Sequence, residues 1–371
     1  MSIEIVDGWN GPGAKDGKAT LVRPADNALH PSEDRWAFEH WYFDARLESG
    51  HTVVAFLQKR RPEEPPGSRP VVEVVVYFPD GTRRQVIRHY PHMAFEAATD
   101  RCRARVAHNT AELVSPAADV DRPGALPVHR LRVNEGGVEL DLTFTATVPS
   151  WMPGQGWTRY GDRDFFGWVV PAPRATVTGA VTIDGWRVEA RGTGYHDHNW
   201  GVGNMPRIIE RWHWGRLYTD DLSLIYATVR TQRRFDHHES RPLMLAVGDR
   251  VVLSTGEVAL TEGPTAYDAD ARREYPTWLR LESEASGDGV TDARVDLRLD
   301  VREVIHGHDL LDDVPVVGTR VGGALLKPLI HRLVGHPGYF RFLSDFELRV
   351  TMNGTTRVET GSTLHELVAL A

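Results

Sequence analysis

The chain has 371 residues, 43 Lys+Arg against 51 Asp+Glu, a formal charge of -8 and a single cysteine, Cys102. With no block of five or six basic residues, it lacks the electrostatic footprint of a protein that binds nucleic acid or an anionic membrane. One cysteine excludes an internal disulfide and a cysteine-based zinc cluster, and points to a reducing compartment. The opening Met-Ser-Ile-Glu-Ile-Val-Asp is no secretory leader and no apolar run approaches membrane-spanning length, so the expected location is the cytoplasm. The length favours two domains with separate cores.

Residues 1–34 are rich in Gly, Pro and Asp and show little periodicity, which predicts a tail that wraps the fold. From Arg35 the pattern becomes β. Trp36 to Phe43, the turn Ser49-Gly50 and Thr52 to Leu57 read as strand, turn and strand. Val71 to Phe78, Pro79-Asp80-Gly81-Thr82 and Arg83 to His89 read as a hairpin. Similar punctuation recurs at Asn134-Glu135-Gly136-Gly137, Asp184-Gly185 and Asn353-Gly354. Many short strands at hairpin spacing predict an all-β chain of sandwiches or barrels. The exception is Gly322 to Val334, where Ala324, Leu325, Leu329, Ile330 and Leu333 suit a short amphipathic helix interrupted by Pro328. The polar runs holding His237-His238 and His306-Gly307-His308 read as solvated loops.

A faint internal repeat accompanies this pattern. Trp41-Tyr42-Phe43 begins a strand that turns at Ser49-Gly50, and Trp212-His213-Trp214 begins one that turns at Asp220-Asp221. Two tandem β-domains, residues 1–205 and 206–371, would produce it. Just before that junction stands Gly192-Thr193-Gly194-Tyr195-His196-Asp197-His198-Asn199-Trp200-Gly201, a mixture of titratable and aromatic residues between glycines. If the segment is extended, Tyr195, Asp197 and Asn199 share one face, with His196, His198 and Trp200 on the other. Placed at a domain junction, the segment would line a pocket between the domains. Tryptophans 151, 157, 168, 186, 200, 212 and 214 surround it in sequence, either as core filler or as aromatic pocket walls.

Gly194-Tyr195-His196-Asp197-His198-Asn199-Trp200-Gly201 resembles the signature of the carotenoid 1,2-hydratase (hydroxyneurosporene synthase) family and its AttH-like relatives with two lipocalin-like domains. Phe166-Gly167-Trp168-Val169-Val170-Pro171 and His40-Trp41-Tyr42 extend the resemblance. It implies two tandem lipocalin-like domains with an apolar pocket where they meet. It also implies an enzyme that either hydrates an isoprenoid double bond or, like the related Diels–Alderases, folds a linear polyene or polyketide into rings. In the hydratases a Tyr-x-Asp and an upstream His-x-Trp are the functional positions, the aspartate serving as acid. Tyr195, Asp197 and Trp168 match them, whereas Phe166 stands where the family has histidine and removes a group that could orient water.

Three chemistries follow from these residues. Protonation of an alkene requires a neutral carboxyl group, which desolvation of Asp197 could provide, with Trp168, Tyr195, Trp200, Trp212 and Trp214 as aromatic faces for the cation. A pericyclic closure requires only a folded substrate and one or two donors, and leaves Asp197 to orient a neighbour. As a carrier of an apolar ligand, the chain would use Tyr195 and Asp197 as scaffold, with Asp197 satisfying backbone N–H groups and Tyr195 packing in a core. Phe166 favours ring closure over hydration. The expected catalytic residues are Tyr195 and Asp197, and the expected substrate contacts are His40, Tyr42, Phe166, Trp168, His196, His198, Trp200, Trp212 and Trp214. The sequence predicts no metal at His196-Asp197-His198 for want of a third ligand at usual spacing, since Gly201, Val202 and Gly203 follow. It implies no cofactor, because nucleotide loops and a serine-hydrolase elbow are missing. The expected partner is a small apolar substrate, bound by a monomer or weak homodimer.

Overall fold

The computed structural model describes residues 3–10, 19–283, 293–313 and 336–370; the helix expected between Gly322 and Val334 lies outside them. In chain order the strands are β1 (Ile5–Asp7), β2 (Ala37–Leu47), β3 (Thr52–Arg60), β4 (Val71–Tyr77), β5 (Arg83–His89), β6 (Phe95–Ala97), β7 (Arg103–Val106), β8 (Asn109–Leu113), β9 (Val128–Glu135), β10 (Val138–Ala146), β11 (Trp157–Tyr160), β12 (Asp164–Ile183) and β13 (Trp186–Val202). They continue as β14 (Ile209–Tyr218), β15 (Leu222–Thr231), β16 (Glu239–Ser240), β17 (Leu243–Val247), β18 (Arg250–Thr255), β19 (Val258–Glu262), β20 (Thr265–Asp268), β21 (Arg273–Pro276), β22 (Trp278–Ser283), β23 (Ala293–Asp309), β24 (Gly338–Met352) and β25 (Thr355–Ala369). The chain is nearly all β, and among the described residues no helix is long and apolar enough to cross a membrane.

The chain divides into two compact units, one of Ala19–Asn204 with Ala246–Val251, the other of Met1–Lys18, Met205–Leu245 and Val252–Ala371. The first is built on a curled antiparallel sheet in the order β5-β4-β3-β2-β13-β12-β10-β9-β8-β7-β6. The second is built on the order β18-β17-β15-β14-β25-β24-β23-β22-β19. Each sheet thus sets the first strand of its opening hairpin against its own last long strand, β2 on β13 and β14 on β25. The repeat read around Trp41 and Trp212 falls on these equivalent strands, with a difference in facing. Trp41 is fully buried, whereas alternation along β14 gives His213 the buried place and leaves Trp212 half-buried.

Turn chemistry explains why the hairpins close where they do. At Asp184-Gly185 and Asn353-Gly354 both central residues have positive φ (49° and 83°, 48° and 79°), the two-residue turn whose twist matches antiparallel strands. One of two expected loops is corrected. His306-Gly307-His308 belongs to β23, where the three residues pair with Arg341, Phe340 and Tyr339 of β24. The expectation failed because this strand end carries no apolar alternation. His237 and His238 do lie in the loop after a short turn, half-exposed, and each is hydrogen-bonded to a carboxylate, Glu210 (2.6 Å) and Asp7 (2.6 Å) respectively.

The core of the first unit fills the curled sheet with alternating inward residues, among them Trp41, Phe43, Leu57, Val74, Leu131, Leu142 and Phe144. The stretch read as a wrapping tail contributes to this interior. Asn27 is buried, its carbonyl accepts from Trp41 Nε1 (3.1 Å), and its amide nitrogen lies 3.2 Å from His129 Nε2 and 3.0 Å from His196 Nε2. His196 Nδ1 lies 2.8 Å from the Tyr42 carbonyl, which can only accept, so that nitrogen carries the proton. Neutral His196 then offers a lone pair at Nε2, and the Asn27 N–H groups point at both imidazoles. The arrangement requires both rings to be neutral, in agreement with burial, which pushes His129 down to about 3 and His196 well below its ordinary value.

Two predictions follow from this packing. Gly194 lies so close to its neighbours that an added Cβ would sit 2.5 Å from Val177 Cγ2, 2.6 Å from Phe144 Cε1 and 2.8 Å from the Asp44 carbonyl. Gly194→Ala is therefore expected to destabilise by about 1–3 kcal/mol in urea unfolding. Because His129 is neutral in the folded state but protonates near pH 6.5 when unfolded, its contribution is complete above that pH and is lost as the pH falls toward 3. Stability between pH 6.5 and 4 should fall with acid, and His129→Gln should reduce that slope by up to about 1.4 kcal/mol per pH unit.

Candidate functional site

β13 is the middle of the candidate site because it lies between β2 and β12 and pairs with both. Its register sets Tyr195 opposite Asp44, Asp197 opposite Tyr42, Asn199 opposite His40 and Gly201 opposite Phe38 on β2. On the other side Asn199 faces Trp168 and Gly201 faces Phe166 of β12. With side chains alternating along each strand, Phe38, His40, Tyr42, Asp44, Tyr195, Asp197, Asn199, Phe166 and Trp168 share one face. Glu39, Trp41, Phe43, His196, His198 and Trp200 share the opposite one.

The first face is organised by Asp197. Its Oδ2 accepts from the Tyr195 hydroxyl (2.9 Å) and from Trp168 Nε1 (3.1 Å), while Oδ1 accepts from Asn199 Nδ2 (3.1 Å). Asp197 and Asn199 are 7% and 9% exposed, Trp168 3% and Tyr195 0%, so these bonds form with little access to water. Two donors on Oδ2 leave that oxygen no room for a proton, so any proton this carboxyl carried would sit on Oδ1. Trp168 is in turn seated edge-on against Trp151, with ring centres 5.3 Å apart. Tyr42 meets Tyr195 edge-on at 6.0 Å and donates to Asp44 Oδ2 (2.7 Å).

His40 differs from its neighbours. It is half-buried, its ring meets Phe56 edge-on at 5.7 Å, and its Nδ1 is buried without a hydrogen-bond partner. Desolvation, with a smaller contribution from His198, pushes its pKa down to about 3, so the imidazole is neutral. Because Nδ1 is closed off while the residue is half-buried, a bound molecule would pair with that nitrogen only after the ring turns. Phe166 lies beyond Trp168, its ring 5.6 Å from Phe38, and makes that end of the face apolar.

The opposite face is occupied by packing. His196 stacks on Phe43 at 3.8 Å with an interplanar angle of 4° and belongs to the core with Asn27 and His129. His198 stacks on Trp41 at 4.5 Å and pairs with Glu39 Oε1 (3.0 Å). Trp200 stacks on His30 at 3.9 Å and lies over Gly167, where an added Cβ would be 2.2 Å from its ring. The three therefore stand away from Tyr195 and Asp197. Trp212 and Trp214 stand on β14, a strand of the other unit, with Trp214 5.4 Å from the Arg216 guanidinium.

Sequence reasoning did not give roles to Asn199, Phe38, Glu39, His30 or Asn27, and weighed Asp44 only as a distant carboxylate for a metal. Asp44 was within reach of the argument, because His40, Tyr42 and Asp44 follow the two-residue repeat of one strand. Glu39, His30 and Asn27 carried no local signal, since only strand pairing and the path of the N-terminal segment bring them to β13.

Comparison with known proteins agrees with this architecture. The structure of CghA with Sch210972 superposes with a TM-score of 0.64 at 15% identity, covering 100% of this chain and 99% of that one. Kievitone hydratase from Nectria haematococca gives 0.54 at 15% identity, covering 100% and 98%. At these identities the likeness is one of fold. A hydroxyneurosporene dehydrogenase of Chlorobaculum tepidum is 40% identical over 68 residues, which span 17% of this chain and 18% of that protein. Residues 14–300 match the AttH-like family model, and the chain belongs to the AttH-like family.

Proposed function

We propose that the chain is an enzyme that binds a long, apolar, unsaturated polyketide or terpenoid and closes a ring in it. The reaction converts π bonds of the substrate into new σ bonds and adds or removes no atoms. The observation that carries the reading is the division of labour on the Tyr195 face. Asp197 uses both oxygens to fix Tyr195, Trp168 and Asn199, whereas His40 Nδ1 is buried, neutral and unpartnered. A set of locked aromatic walls beside one neutral imidazole that has no partner at Nδ1 and can turn toward a ligand suits a substrate that must be folded and have a carbonyl polarised. Orientation of this kind lowers a barrier by about 7–11 kcal/mol. Asp197 and Tyr195 are here positioning residues, and His40 is the group that touches the substrate.

Hydration is the second reading, favoured by the same His40, because a neutral imidazole nitrogen can also orient water in place of the histidine that Phe166 replaces. In that reaction a proton from Asp197 Oδ1 would add to one alkene carbon and hydroxide to the other. The resemblance in fold to kievitone hydratase supports keeping it.

Incubation of purified protein with linear polyene polyketides and isoprenoids in ¹⁸O-labelled water distinguishes the two. Ring closure gives a product of unchanged mass and no label, whereas a product carrying ¹⁸O and the mass of one added water rejects ring closure. Substrate recovered intact after long incubation identifies a carrier. Among variants, His40→Ala should lower kcat by about a hundredfold, the usual loss when one donor to developing charge is removed from a dry site. Asp197→Asn should cost roughly tenfold, since the amide still accepts one of its bonds. The rate should not fall between pH 8 and 5 on account of His40, which stays neutral down to about 3.

A further inference from the structure

The face of β13 opposite to Tyr195 and Asp197 holds a second polar group that the proposed reaction does not use. Glu39 is 1% exposed, yet its Oε1 accepts from the His30 backbone N–H (2.8 Å) and lies 3.2 Å from His30 Nδ1 and 3.0 Å from His198 Nε2. The three side-chain ligand atoms all lie within 4.8 Å of one another. Beside them opens a cavity of about 130 Å³, lined by His30, Glu39, Lys59, Phe38, Phe165 and Trp200.

A carboxyl group buried this deeply has to be met by donors or by a cation. Lys59 at the cavity does not pair with it, its Nζ instead reaching the Ser32 carbonyl at 3.4 Å.

We propose that His30 Nδ1, Glu39 and His198 Nε2 bind a divalent transition-metal ion, with Zn²⁺ as the archetype, whose remaining coordination position opens into this cavity. Nitrogen and oxygen ligands about 2.0–2.2 Å from a tetrahedral ion stand roughly 3.3–3.5 Å apart, close to the 3.2 and 3.0 Å found between Glu39 Oε1 and the two imidazoles. Two histidines with one carboxylate form a ligand set that suits zinc or iron and disfavours calcium and magnesium. The ligands are also oriented in advance. His198 is stacked on Trp41 at an interplanar angle of 14°, His30 on Trp200 at 2°, and the His30 backbone N–H fixes the carboxylate. The neighbouring cluster of Cys102, His129 and His196 differs, because the Asn27 amide faces both imidazole Nε2 atoms there.

The test is titration of the full chain, freed of metal by a chelator, with Co²⁺ and then Zn²⁺. The expected result is one equivalent of Co²⁺ with the intense visible bands of a low-coordinate ion, displaced by Zn²⁺ and unaffected by excess Mg²⁺. His30→Ala should weaken binding at least tenfold. His30→Phe should do the same while keeping a ring on Trp200, so lost binding with an unchanged circular dichroism spectrum and melting profile cannot be attributed to misfolding. His237→Ala, at a half-exposed histidine bonded to Glu210, should leave binding as it was. Absence of the Co²⁺ bands, binding undiminished in both His30 variants, or binding abolished by His237→Ala would overturn the proposal.

Discussion

The two-residue repeat of β13 is the constraint on which both faces of the first unit depend. One stretch of backbone presents Tyr195, Asp197 and Asn199 to one side and His196, His198 and Trp200 to the other, so a slip of one residue against β2 would exchange them entirely. Specific bonds on both sides oppose such a slip. Asp197 holds Trp168 across the strand pair with β12, His198 holds Glu39 across the pair with β2, and His196 reaches the Tyr42 carbonyl and Asn27. Apolar packing alone would fix which face is buried, but both faces here are buried. The polar pairs settle which buried face is which.

The two faces handle buried polarity differently. On the core side, Asn27, His129 and His196 form a neutral group whose proton positions follow from the Tyr42 carbonyl, so no charge has to be taken from water. Glu39 on that same side keeps its charge through hydrogen bonds from His198 and His30. On the outer side Asp197 is surrounded by uncharged donors, a phenol, an indole and an amide. These donors define directions for the aromatic rings more firmly than apolar contacts could, since a hydrogen bond weakens steeply with angle. An interior arranged in this way favours rigid placement over mobility.

Much of this was legible in the chain. Turn dipeptides such as Asp184-Gly185 and Asn353-Gly354 marked hairpins because few residues accept positive φ, and the alternation within the motif correctly separated Tyr195, Asp197 and Asn199 from the two histidines. The family resemblance was carried by the same motif, and residues 14–300 match the AttH-like family. The structure separates what the sequence pooled. Trp200 and His198 are near Asp197 in sequence but on the opposite face. Non-local pairing was beyond reach for a physical reason. Nothing near Asn27, His30 or Glu39 signals that an N-terminal segment will enter the interior beneath β13, because that placement follows from the curled sheet and not from any local preference.

β12 carries two prolines, Pro171 and Pro173, within a strand that lies between β13 and β10. They fall where its register with β13 shifts, leaving Ala172 and His196 as the isolated matched pair between Val169 and Ala175. A proline offers no N–H to a neighbouring strand. β12 is therefore two rods joined at a knuckle that bonds instead to residues 147–151, through Val170 and the Pro171 and Arg174 carbonyls. The long rod, Ala175–Ile183, is clamped on both sides by β10 and β13, while the short rod carries Phe166 and Trp168. The short rod is itself paired with β11 and β13, so Trp168 is fixed by ladders on both sides as well as by Asp197, and the prolines turn the strand between two anchored halves without loosening either.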